Sequence, residues 1–209
     1  METTLSPKKR YRHHFAKHEI PKSLIYEMYD GKPMYYKGYK DVMNHLKSTE
    51  EIMGQSDIQG IVVNVILRYL MRNIDDEKYF VMSNETGFHL SKNSNISSDI
   101  VIFDKETLQN RENKGKYFDI PPLAVIEIDI EADAKDFGLS EFDYYSMKTK
   151  SLLDFGVKEV FWFFSASKQV AIARPNQDWI IANWDKELVV LGEYKFSLEK
   201  LLEKEGFKL

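Results

Sequence analysis

The sequence contains no cysteine in its 209 residues. That absence excludes a disulfide framework, a thiolate zinc site and a cysteine nucleophile, and it fits a reducing compartment such as the cytoplasm. Long apolar runs are missing as well. No segment reaches the roughly 18–20 apolar residues of a membrane span, and the opening "METTLSPKKRYRHHFAKHEIPKS" has charges where a secretory signal needs an apolar core. A cytoplasmic protein is expected. Proline and glycine number only 6 and 10, and no Pro/Gly/Ser-rich linker or internal repeat divides the chain. The chain also lacks an excess of basic residues: a formal net charge of −4 and a pI near 5.8 argue against a non-specific coat for nucleic acid. There is no P-loop, no dinucleotide glycine motif, no Gly-x-Ser-x-Gly elbow and no zincin spacing among the five histidines.

What remains is an ordinary globular composition with 43% hydrophobic, 30% charged and 13% aromatic residues. The length suits a basic arm at residues 1–22 followed by one domain at 23–209. Within "KKRYRHHFAKH", residues 8–18, Lys8, Lys9, Arg10 and Arg12 stand without an acid, a candidate nucleic-acid contact through phosphates. A solvated arm is the alternative reading.

Asp30-Gly31 between two aromatic-rich runs predicts a β-hairpin at about 24–37. Two helical stretches follow, "YKDVMNHLKSTEEI" and "SDIQGIVVNVILRYLMRNI". The second carries Ile58, Ile61, Val62, Val65, Ile66, Tyr69 and Leu70 at three- and four-residue steps and so should pack along a sheet. Strand-like runs lie at 78–90, 99–104, 122–130, 158–165, 168–174 and 178–184. Further helices are expected at about 139–155 and from Ser197. The order predicts a mixed α/β or α+β fold around a central sheet.

Within "LAVIEIDIEAD", residues 123–133, Glu127 and Asp129 would share one face of a strand with Val125, while Ile126, Ile128 and Ile130 line the other. Burying unpaired carboxylates is costly, so a cation or water must meet them, unless the pair is a structural ion pair or the strand has one wet face. The polar "SKNSNISS" at 91–98 reads as a turn that leaves Asp99 at the mouth of the next strand. Lys148 falls on the 139–155 helix at the edge of an apolar face formed by Phe142, Tyr145, Thr149, Leu152 and Leu153, with Lys150 nearer solvent. Two carboxylates and a cation on separate rigid elements form the set that divalent-metal phosphodiester hydrolysis requires. For Lys148 alone, a snorkelling surface lysine is the competing reading.

The motifs "YEMYDG" at 26–31, "SDIVIF" at 98–103, "PPLAVIEI" at 121–128 and "KTKSLLDFGVKEVFW" at 148–162 follow one another in the order and spacing of a known group. The sequence resembles the Uma-two family, a branch of the PD-(D/E)XK nuclease superfamily, across about residues 24–175. The resemblance implies a restriction-endonuclease-like mixed sheet flanked by helices and a Mg²⁺- or Mn²⁺-dependent endonuclease acting on DNA. It assigns Asp99 and Glu127 as metal-binding acids, Lys148 as the catalytic lysine and Glu27 as a further acid near the site or a structural one. Ser98 stands where the family has proline, Leu152 where its helix has tyrosine, and "IEADA" at 130–134 lacks the family's Ser-Pro segment. Asp129 occupies the superfamily's usual lysine position, as a third metal ligand or as a charge that repels phosphate. The alternatives are a degenerate nuclease fold that only binds nucleic acid or a partner, and an interaction protein whose Trp162, Trp179 and Trp184 form a homodimer surface.

Overall fold

The structure, a computed structural model, describes residues 20–54, 56–112, 117–129 and 132–208. Lys8, Lys9, Arg10 and Arg12 lie outside the described residues. Asp30 and Gly31, at φ 47° and 77°, form the tight turn that joins β1 (Ile25–Tyr29) to β2 (Lys32–Tyr35) as an antiparallel hairpin. The expected first long helix is instead two short ones, α1 (Tyr39–Met43) and α2 (Glu50–Met53), interrupted around His45 at φ 56°. Helix α3 (Asp57–Asn73) starts where Ser56 accepts the amide of Gln59, and it buries Val62, Val65, Ile66 and Leu70 on the sheet.

Strand β3 (Tyr79–Ser91) turns back into β4 (Ser94–Asp104), and the two pair antiparallel along nearly their whole length. The expected polar turn at 91–98 shrinks to Lys92 and Asn93. Ser94, Ile96 and Ser98 alternate inward, so small serines serve as buried strand residues and Asp99 sits inside β4 rather than at its mouth. A short α4 (Lys105–Gln109), capped by Asp104, leads toward β5 (Ala124–Ile128). Helix α5 (Glu141–Phe155) opens with a capping box between Ser140 and Asp143. It is followed by β6 (Glu159–Phe164), β7 (Gln169–Ala173), β8 (Ile180–Asn183), the small hairpin of β9 (Leu188–Val190) and β10 (Tyr194–Phe196), and α6 (Leu198–Lys204).

The main sheet runs β2-β1-β4-β5-β6-β7-β8 with β3 on the other edge of β4. Because β3 occupies one edge of β4 throughout, β1 and β5 share the opposite edge, β1 at Asn95 and β5 at Ile100–Ile102. The sheet therefore forks between them, around Ser97–Asp99. Strand β5 pairs antiparallel with β4 and parallel with β6, the parallel step crossing over through α5. Both faces of β5 are covered, by α3 and α6 on one side and α5 on the other, and all five of its residues are buried. A strand with one wet face is thus excluded. Among the described residues no helix is long and apolar enough to cross a membrane.

Gly156 ends α5 at φ 122°, where a Cβ would stand 2.9 Å from Pro121 Cγ. Gly156→Ala should cost on the order of 1–3 kcal/mol. Urea unfolding checks this, and a loss below about 0.5 kcal/mol would show that the α5–β6 turn relaxes freely.

Candidate active site

Antiparallel pairing of Ile100 with Ile126 places Asp99 opposite Glu127 one step further along the same register, on the face covered by α5. The ladder stops there. The amide of Ile128 donates to Asp99 Oδ2 at 2.8 Å, so a side chain takes the place of a strand partner just where the fork opens. Asp99 is partly buried and Glu127 buried, with 3% of its surface exposed.

Lys148 descends from α5 into this fork. Helix α5 is rotated from the expected orientation: Tyr144, Lys148, Thr149 and Leu152 are buried, whereas Phe142 is 69% exposed. Lys148 therefore stands in the middle of the buried stripe rather than at its edge, and Lys150 faces solvent paired with Asp154. The rotation satisfies each polar group on that stripe. Thr149 accepts the indole N–H of Trp162 at 2.8 Å, and the Lys148 ammonium donates to Glu27 Oε1 at 2.8 Å and to the Ser97 carbonyl at 2.8 Å. Glu127 Oε1 lies 3.0 Å from the same ammonium but receives no well-directed hydrogen bond, which makes the contact an ion pair without a bond. The rings of Tyr26 and Trp162 stand 5.9 and 5.7 Å from Nζ. Lys148 is wholly buried, so the reading of a snorkelling surface lysine is overturned.

Glu27 is also buried and is tied more tightly than the sequence suggests. Its Oε2 accepts the hydroxyls of Tyr29 at 2.8 Å and Tyr144 at 2.9 Å, and its Oε1 faces the amide of Ser97 at 3.4 Å. Tyr144 precedes Lys148 by one helical turn, a spacing that marks a shared face. Gln59 is a site residue that the sequence motifs do not point to. It is a buried amide on the apolar stripe of α3, three residues before Val62; its Nε2 donates to the Ile128 carbonyl at 3.2 Å and it reaches Asp99. Its Oε1 has no protein partner. A lone amide on an apolar helical stripe was the available signal.

Asp129 is not brought to this group. Its backbone turns left-handed at φ 53°, ending the strand alternation, and its Oδ1 accepts the amide of Ser165 at 2.9 Å. Among the described residues no three His, Cys, Asp or Glu side chains cluster so as to hold a metal. Trp162 and Trp184 are core residues, 1% and 4% exposed, and Trp179 is half-buried beside Phe142.

Three carboxylates thus crowd one ammonium, and burial dominates the titration of Asp99 and Glu127. Desolvation pushes Glu127 up to about 7 against the pull of Lys148, with Asp99 adding repulsion. Asp99 rises to about 6, again through desolvation, moderated by the Ile128 amide and by Lys148. Desolvation works to lower the Lys148 pKa, but Glu127 and Glu27 outweigh it and hold it well above the ordinary lysine value. The ammonium keeps its proton. The pocket as it stands favours partial protonation of Asp99 and Glu127, and an added cation would relieve it.

With the geometry in hand, the class is plain: a mixed α/β protein of restriction-endonuclease-like fold. The Uma2 family, described as "Putative restriction endonuclease", matches residues 49–205, and the chain belongs to that family. The crystal structure of a "putative nuclease belonging to DUF820 from Anabaena variabilis" superposes with a TM-score of 0.57 over 85% of this chain and 89% of that one, at 18% identity. No curated protein matches the sequence.

A carboxyl whose folded pKa is raised stabilises the fold fully below its ordinary value and loses that stability as pH climbs through the raised one. For Glu127, moved from 4.5 to about 7, the wild type should lose on the order of 3 kcal/mol between pH 4 and 8 in metal-free buffer. Glu127→Gln should flatten that slope. Parallel stability profiles for the two proteins would contradict the assignment.

Proposed function

We propose that the protein is a Mg²⁺- or Mn²⁺-dependent endonuclease that hydrolyses phosphodiester bonds in DNA. One observation carries the reading: Asp99 and Glu127 face each other where the sheet forks, with the buried ammonium of Lys148 against Glu127. The residues suit a hard divalent ion, which is commonly bound through one or two carboxylates and completes its shell with water and substrate phosphate. Two further features favour the fit. Glu127 Oε1 lacks a directed hydrogen bond, and Glu27, Asp99 and Glu127 exceed the single Lys148 by two negative charges.

Asp99 and Glu127 would hold the ion, and the Ile128 amide and Gln59 would orient Asp99. When bound, the divalent ion supplies Lewis acidity and counter-charge for the developing oxyanion. Lys148 acts as a donor rather than a base, since its surroundings keep it protonated. It orients the attacking water or a phosphate oxygen and offsets charge as the bond breaks. Glu27 and the tyrosines hold the ammonium in place. The basic arm, Lys8, Lys9, Arg10 and Arg12, would add phosphate contacts. A homodimer acting on both strands is a companion proposal, and its best support is the outer strand β8, where Ile180 and Ile181 are 50% and 55% exposed.

Supercoiled plasmid incubated with Mn²⁺ should be nicked by the wild type. The rate should fall at least about a hundredfold in Asp99→Asn and in Lys148→Met, and should vanish with chelator. Nicking that survives chelation, or a wild-type rate in either variant, would refute the reading.

A further inference from the structure

The two acids on Lys148 are not equivalent. Glu27 Oε1 takes a hydrogen bond at 2.8 Å, and its other oxygen is fixed by two tyrosine hydroxyls. Glu127 Oε1 sits at 3.0 Å with no directed bond. Ser98 lies beside Glu127, yet its Oγ makes no well-formed hydrogen bond. One carboxylate is clamped, and the other is only leaning on the charge.

We infer that Glu27 is a positioning residue, the permanent counter-ion of Lys148, and that it frees Glu127 to bind a divalent cation with Asp99. The inference rests on the metal-binding reading above. Its logic is electrostatic. A single buried ammonium can neutralise one carboxylate. If Glu27 fills that role, Glu127 and Asp99 remain as two negative charges matched to one divalent ion. Without Glu27, Lys148 would have Glu127 as its nearest counter-ion, and a metal would have to compete with the lysine for it. Glu27 is fixed from three sides: its own strand through Tyr29, helix α5 through Tyr144 and Lys148, and β4 through the Ser97 amide. Such bracing is what a fixed partner needs and an exchanging ligand does not.

The test is Mn²⁺ affinity by isothermal titration calorimetry on the whole chain, with no DNA present. Glu27→Gln keeps the size of the side chain and one acceptor oxygen but removes its charge. It should weaken Mn²⁺ binding about tenfold or more. The same substitution made in a Lys148→Met background should change affinity by less than about threefold, because the lysine that captures Glu127 is gone. If Glu27 instead acts on the ion through its charge at a distance, the loss will be equal in both backgrounds, and the inference is overturned. Lys148→Met leaves buried acids unpaired and can fail to fold, so Tyr144→Phe, which loosens Glu27 while leaving every charge in place, gives a second arm. It should weaken Mn²⁺ severalfold in the same direction, and an unchanged affinity there overturns the inference on its own. Absence of Mn²⁺ binding to the wild type would defeat the metal reading itself, whereas normal wild-type binding with an unaffected Glu27→Gln defeats this inference alone.

Discussion

The structure around the site depends on one buried ammonium. Lys148 lies between α5 and the sheet with no exposed surface; its ammonium donates to Glu27 and the Ser97 carbonyl and stands in ion-pair contact with Glu127. Taking a lysine out of water costs several kcal/mol, so its partners must be in place for α5 to dock as it does. Those partners come from β1, β4 and β5. The charge therefore ties the hairpin, the two central strands and the crossover helix to one point.

The fork in the sheet makes room for it. A continuous β4–β5 ladder would give the Ile128 amide a backbone partner and leave no opening beside Asp99. Instead the Asp99 carboxylate receives that amide, β1 takes over the edge of β4 at Asn95, and Ser97 is left with a carbonyl for Lys148 and an amide facing Glu27. Polar groups that would be orphaned by the split are used to hold the ionisable ones. The remaining imbalance, three acids against one base, is unfavourable for folding in the absence of a further cation. Proteins commonly concede stability at sites where function requires it. At Glu159, by contrast, the charge is balanced one to one: Arg174 meets it at 2.8 Å while the Leu191 amide donates to the second carboxylate oxygen.

Much of this was legible in the residues. The Asp30-Gly31 turn, the α3 stripe and the Ser140-started helix each announce themselves by local chemistry. The acid embedded in "VIEI", Glu127, signalled a special environment because apolar neighbours on both sides leave a carboxylate no solvent. What was hidden depended on long-range pairing. Ser94–Ser98 looks like a loop until β3 lies alongside it. Asp129 looks like a partner of Glu127 until the left-handed turn breaks the two-residue alternation. The rotation of α5 could not be read from hydrophobicity, since Phe142 is a stronger apolar residue than Lys148 and yet lies outside. Ion pairing with residues over a hundred positions away decides that choice, and no local window contains it.

In the proposed function, the excess negative charge at the fork is a seat for a divalent ion. Crystals grown with Mn²⁺ and measured for its anomalous scattering locate such an ion directly. One strong peak is expected within roughly 2.0–2.6 Å of carboxylate oxygens from both Asp99 and Glu127, typical of hard-cation coordination, with Lys148 still held by Glu27. A map with no peak at the fork, and Glu127 still resting on Lys148, would contradict it.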